Sequence, residues 1–330
     1  MSLRLLEVYL PEEKSEQMEE LLAEYSYLEM WKDKNSDRST VRILLYSNQV
    51  EVITDFLVKK YTHIDSFQML LLPVEAMIPR PEPLEETADP EDTTSRVNRE
   101  EIYARVTGSI NFSWTELSMV LLSSAIACVG LVQGSEAVII GAMVLAPLLK
   151  PNMALAVAAT LGDVDLVFKT IKLGFLGILA GLIFSIFVGW CFPISPDLPE
   201  IAFRTRVSLP EIIVALASGS AAAISLTTGE RNSIVGVMVS VALLPPLVTW
   251  GMLLGSGEWE PAGGAMLLVL VNIASLNIAA IATLLIQKVS PMDWWGSIQA
   301  KKLTKITFGF WALILALLVS LVFIFQFRNA

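Results

Sequence analysis

Histidine and cysteine, the side chains on which most metal and nucleophilic sites are built, are nearly missing from this 330-residue chain. There is one histidine, His63, and there are two cysteines, Cys128 and Cys191. Both cysteines fall in apolar segments, which excludes a disulfide framework and a cysteine metal site. No histidine lies in the apolar runs, and no serine–lysine, paired-aspartate or metal-ligand pattern with a clear role is present. The chain therefore reads as no enzyme, with no metal and no cofactor. A glycine-rich phosphate loop is also missing, which excludes ATP-driven chemistry by this chain alone. The opening MSLRLLEVYLPEEKSE has neither the apolar core nor the cleavage site of a signal peptide, so the N-terminal segment is expected to stay in the cytoplasm.

What the chain has instead is apolar length. It is 54% hydrophobic with a mean hydropathy of +0.60, too apolar for an ordinary soluble protein. Charge is unevenly placed. Residues 1–110 hold 12 Lys/Arg against 22 Asp/Glu, whereas the remainder holds 11 of each. The whole net charge of −10 thus lies in an N-terminal polar part. Acidity there argues against nucleic acid as a partner.

Four parts follow. Residues 1–78 read as a cytoplasmic α+β domain, with strands at 3–10, 27–31, 40–47 and 66–74 and helices at 14–25 and 49–61. This βαββαβ order is that of a ferredoxin-like unit. Residues 79–98 form an acidic, Pro-rich flexible linker. Residues 99–115 are a juxtamembrane amphipathic segment. Residues 116–330 are an α-helical integral membrane domain of about seven helices: 116–133, 136–160, 166–191, 210–228, 232–254, 262–287 and 306–327.

The membrane domain looks duplicated. A gapless shift of 95 residues lays 116–163 on 211–258 with 14 identities in 48 positions, where chance gives roughly five. The two copies span 116–191 and 211–287, and the extra helix is 306–327. Three helices per copy require the copies to cross the membrane in opposite senses, a 3+3 inverted repeat plus one. Ten basic residues on the presumed inner segments against three on the outer ones agree with a cytoplasmic N-terminus.

Prolines interrupt the second helix of each copy. The first reads 144-VLAPLLKPNM-153 and the second 239-VSVALLPPLV-248, with Pro151 matching Pro246. Paired proline breaks are the sequence pointer to a transport site, so Pro147, Lys150, Pro151, Asn152, Pro245 and Pro246 are candidate substrate or ion-pathway residues. Lys150 is matched by Pro245, so the charge belongs to one copy. It would favour an anionic solute or a carboxylate from Glu116, Glu136 or Glu211. A second reading stays open, in which Lys150 snorkels to the inner surface. Glu116 and Glu211 begin helices and suit the helix dipole there; with Asp163 they are also candidate proton or charge partners. Asn272 and Asn277 put amides into the sixth helix, either for interhelical bonding or for solute contact.

The run 134-GSEAVIIGAMVLAPLLKPNMALAVAATLGD-163 resembles the bacterial and archaeal membrane family known as domain of unknown function 389. Gly141, Ala142, Met143, Pro147, Pro151, Gly162 and Asp163 carry the likeness, which covers most of 110–290. Lys150 departs from it, standing where the family pattern has a small or polar residue. The resemblance implies a prokaryotic cytoplasmic membrane rather than a particular substrate. Taken together, the sequence predicts a secondary transporter or permease for a small solute. Its partners are the lipid bilayer and further copies of itself, in a homo-oligomer, and its cytoplasmic domain regulates or assembles it. An oligomeric ion channel and a non-transporting sensor or scaffold are the alternatives.

Overall fold

A computed structural model describes residues 3–35, 38–78, 97–111, 113–192, 194–228, 233–289 and 297–328. The acidic linker expected at 79–98 lies, up to residue 96, outside the described residues. The chain divides into two compact units, one essentially Met1–Ile102 and the other built from the helices that follow Tyr103.

In the first unit, β1 (Leu3–Leu10) is followed by short helices α1 (Glu12–Glu16) and α2 (Met18–Leu21). Strands β2 (Glu29–Asn35) and β3 (Arg38–Tyr46), helix α3 (Ser47–Tyr61) and strand β4 (Gln68–Val74) complete it. All pairings are antiparallel and the sheet order is β2-β3-β1-β4. Alternation along β1 sends Leu6, Val8 and Leu10 into a core with Ile43, Leu45 and, from the helices, Met18, Ile53 and Leu57. Each such side chain contributes about 1.5–3 kcal/mol by leaving water.

Two local expectations change. The single helix predicted at 14–25 is two short pieces. Glutamates at 12, 13, 16, 19, 20 and 24 place like charges three and four residues apart, which weakens a continuous helix. Its apolar face is nonetheless kept, with Met18 and Leu22 fully buried. The β2–β3 ladder also runs into the KDKNSDRS stretch read as a turn, pairing Asp33 with Thr40 and Asn35 with Arg38. Charged residues are well suited to such an edge strand because they discourage pairing with another chain.

Among the described residues of this unit, α2 and α3 supply the helical side of that core, and the other sheet face bears Glu7, Tyr9 and Arg42. There the Arg42 guanidinium lies 2.8 Å from Glu7, which also accepts from the Tyr9 hydroxyl at 3.0 Å. These bonds hold the Glu7 carboxyl below its usual range, Arg42 first and Tyr9 second. Beside them a shallow groove of about 520 Å³ is lined by Leu5, Trp31, Arg42, Leu44, Val74 and Met77.

The second unit takes up most of helix α4 (Arg99–Ser109) and continues through α5 (Trp114–Gln133), α6 (Glu136–Leu145), α7 (Leu149–Leu161) and α8 (Val164–Cys191). A one-turn α9 (Pro199–Ala202) precedes α10 (Leu209–Thr228), α11 (Ser233–Gly255), α12 (Trp259–Ile286) and α13 (Ser297–Arg328). Among the described residues four helices, α5, α8, α10 and α12, are long and apolar enough to cross a membrane, and five if the bent pair α6/α7 counts as one. This is a membrane protein by the length and composition of its helices. The α12 span is 61% buried within the protein whereas that of α8 is 11% buried, so α12 is central and α8 peripheral.

Small residues set a close contact between α8 and α11. Gly251 of α11 meets Ser185 of α8, Gly255 meets the backbone of Ile186, and Gly189 meets that of Met252. A side chain at Gly255 would occupy the position of a neighbouring carbonyl, so this crossing needs glycine.

Candidate functional site

The first proline break forms for a local reason. A residue before proline is pushed out of the helical region, and Ala146, before Pro147, is extended at φ −71°, ψ 119°. Helix α6 therefore stops at Leu145, α7 restarts at Leu149, and the two are bent by 51°. Pro151 then falls in the first turn of α7, where a backbone donor would have no helical acceptor, so it is tolerated. Leu148, at the N-cap position, offers no side-chain oxygen to that turn.

Lys150 lies in the same first turn. Its ammonium is 2.8 Å from Glu116 Oε1 at the start of α5. The lysine side chain is 50% exposed and the glutamate 25%. The pair borders a cavity of about 50 Å³ whose remaining walls are, apart from Ser113, apolar side chains and glycines, among them Leu117, Val120, Pro147, Leu173, Gly174 and Gly177. Of the three carboxylates that could meet Lys150, the structure brings Glu116 to it.

A second polar group lies in the helix interior. Asn277 of α12 donates to Asn152 Oδ1 of α7 at 3.2 Å and to its own helix at Ile273 O, 2.8 Å. Asn152 in turn donates to Leu148 O at 2.8 Å, within the break. Asn272 donates to Ala242 O on α11 at 2.6 Å. In a regular helix that carbonyl would accept from residue 246, which is a proline without an N–H. Asn272, Ser275 and Asn277 are all buried, and among the described residues Asn272 Oδ1, Ser275 Oγ and Asn277 Oδ1 meet no hydrogen-bonding partner. Buried polar atoms are costly unless paired, so these oxygens mark the middle of α12 as a polar seam.

The second copy departs from expectation. Pro245 and Pro246 sit inside a continuous α11 rather than at a break. Nothing there matches Pro147, whose counterpart is Ala242, and Leu244, although it precedes Pro245, stays helical, as Lys150 does before Pro151: the bias against helix before proline is overridden at both places. The acceptor freed by Pro246 is met by Asn272 instead.

Glu211 is accounted for by capping. It accepts from the backbone N–H of Ser208 at 2.9 Å and from the Ser208 hydroxyl, closing the first turn of α10. Asp163 caps α8 by accepting from Leu166 N at 2.9 Å, and its other oxygen accepts from the Tyr103 hydroxyl at 2.7 Å. Desolvation, followed by that bond, pushes the Tyr103 phenol up to about 12. Gly162, at φ 78°, takes the left-handed turn that lets α7 end and Asp163 start α8. Sequence reasoning did not single out Tyr103, Gly174 or Gly177. No local pattern marks a partner 60 residues away, but the missing side chains at Gly174 and Gly177, where the second copy has Val269 and Asn272, were a readable signal. Among the described residues no three His, Cys, Asp or Glu side chains lie close enough to hold a metal.

The profile of the family described as "Domain of unknown function (DUF389)" matches residues 143–278. An uncharacterized protein of Methanocaldococcus jannaschii, MJ0678, is 31% identical over 324 residues, covering 98% of this chain and all of the relative. The chain belongs to the DUF389 family. No solved structure gives a significant match. The DUF389 match includes the α6/α7 break, Lys150, Asn152, Asp163, Asn272 and Asn277, whereas Glu116 and Tyr103 fall outside it.

Proposed function

We propose that this DUF389 protein is a secondary transporter for a small anionic solute, built around the α6/α7 break. It would work in a prokaryotic cytoplasmic membrane with its N-terminus inside. One observation carries the reading. A span-length segment is interrupted so that a helix begins within it, with Lys150 in its first turn and no side-chain cap. In a bilayer such an interruption is tolerated where protein or a water-lined cavity meets the freed backbone groups. Half-helix N-termini of this kind favour anionic groups of a substrate.

The proposed seven spans are α5, the bent α6/α7, α8, α10, α11, α12 and α13. Their inverted arrangement draws support from helix direction. Gly181 lies against Leu247 and Gly189 against Met252, so α8 and α11 run the same way. In the first copy α8 is the third helix and follows the second, α6/α7, in the opposite sense. In the second copy α11 is itself the second helix, so the two second helices would be antiparallel, as inversion requires. Matched turns add to this. Gly162 and Gly257, 95 residues apart, both have positive φ (78° and 83°), and each precedes an acidic residue, Asp163 or Glu258, that starts a helix.

The N-terminal strand order supports a ferredoxin-like unit, and such a small α+β unit suits a regulatory or oligomerising role. Osmotic swelling of proteoliposomes in the potassium salts of small anions, with valinomycin present, tests the function. Anion-selective swelling that Lys150→Ala removes is the expected result. Swelling that is equal in protein-free liposomes for every anion would sink the reading, and discrete unitary currents would replace it with a channel.

A further inference from the structure

The walls of the Lys150 cavity are uneven in chemistry. One side carries an ammonium, and every other contribution apart from Ser113 and Glu116 is aliphatic side chain, proline ring or glycine backbone. Phosphate or sulfate would strip water from several oxygens that such walls cannot bond. A group with one charged end and an apolar body is the better match. The protein already holds one such group there, because the outer part of a glutamate side chain is a tethered propionate. Glu116 places its carboxylate 2.8 Å from Lys150 Nζ and itself lines the cavity.

Size narrows the class further. In the measure by which a single water needs about 10–15 Å³, the space of about 50 Å³ beside Glu116 holds roughly four heavy atoms, and a displaced Glu116 carboxylate would leave room for that of the ligand. Acetate and propionate suit this combined space. Leu117, Val120, Leu173 and Leu176 offer contacts to a short tail, and Gly174 and Gly177 leave the space open. At the matched positions of the second copy, Val269 and Asn272 carry side chains, so an equivalent opening is not expected there.

We propose that this cavity binds a short-chain monocarboxylate whose carboxylate displaces Glu116 from Lys150, with Glu116 serving as an internal competitor that holds the site closed when empty. The proposal rests on the transporter reading for its physiological meaning, since it names the substrate class of that same site. A tethered carboxylate acts at an effective concentration of about millimolar or above, so a free carboxylate binds the wild-type protein weakly. Removing the competitor exposes the site.

The test is thermal unfolding of the purified full-length chain in detergent, with potassium propionate compared against propionamide and potassium chloride at matched concentration. Propionate should raise the midpoint of Glu116→Gln by about 2–4 °C, with half-saturation at least about tenfold lower than in wild type. Lys150→Ala combined with Glu116→Gln should abolish the shift. An equal shift with propionamide or chloride, or one that survives Lys150→Ala, overturns the proposal. So does a response only to long-chain carboxylates in mixed micelles, which would make the groove a lipid contact. If Glu116→Gln does not purify folded, wild type at high propionate must still respond more than to propionamide; equality there overturns it as well. Carboxylate binding without flux in proteoliposomes would remove the transport reading and leave the site. Flux without carboxylate-dependent stabilisation would do the reverse.

Discussion

Asn272 on α12 donates its amide, at 2.6 Å, to the Ala242 carbonyl, the acceptor that Pro246 leaves without its helical donor. One side chain thus mends the ladder of a neighbouring helix at the point where proline breaks it. This bond meets the acceptor that Pro246 frees, one of the two carbonyls that the proline pair deprives of a helical donor in the continuous α11. Asn272→Ala should lower unfolding stability in detergent by about 1–2 kcal/mol, because a buried carbonyl loses its partner. Pro246→Ala restores a backbone N–H to Ala242, so Asn272→Ala should cost less in that background. A double-mutant cycle with a coupling energy near zero would contradict the relationship.

Tyr103 and Asp163 give a pH signature. In the folded protein the phenol is pushed up to about 12 from its ordinary 10, by burial first and by the bond to Asp163 second. Between those values the folded chain keeps a proton that the unfolded chain releases. The contribution to stability is therefore complete below pH 10 and is lost as pH rises through about 12. Wild type should show a steeper fall in thermal midpoint over that window than Tyr103→Phe. Identical slopes would mean that the phenol titrates alike in the folded and unfolded chain, against both its burial and its bond to Asp163.

Glu116 and Glu211 occupy equivalent third positions in α5 and α10 yet meet different partners. Glu116 reaches Lys150, and Glu211 turns back onto Ser208. Glu211→Ala should cost about 0.5–2 kcal/mol of stability, as for lost caps elsewhere, and leave the response to small anions intact. Swelling assays in which Glu211→Ala alters anion preference as much as Glu116→Gln would overturn the assignment of a purely structural role.

How much of this was legible in the sequence depends on the range of the cause. Strand β1 was read to the residue as the apolar-rich run Leu3–Leu10, whereas its strict alternation of burial, with Arg4 on the buried face, emerges only in the structure. The break at Ala146 was legible too, since Pro147 acts on its own neighbour. The continuity of α11 was not, because its cause, Asn272, lies 30 residues from the carbonyl it satisfies. The same holds for Lys150 and Glu116, 34 apart, and for Tyr103 and Asp163, 60 apart. The Ser208-x-x-Glu211 cap is different: its spacing is a recognised helix-start signature, and the sequence already suggested a first-turn role.

The proposed transporter requires the two halves of the membrane domain to cross the bilayer in opposite senses around the broken span. Asp165 and Glu260 test it most directly. They are matched by the 95-residue shift, both lie exposed in the first turn of a helix, and neither bears on the proposed site. Single cysteines at these positions, in a Cys128→Ala/Cys191→Ala background, would be probed in intact cells with a membrane-impermeant thiol reagent. The account predicts labelling at 260 and none at 165 until the cells are opened. Labelling of both positions from the same side would contradict the inverted arrangement and remove the main support for alternating access.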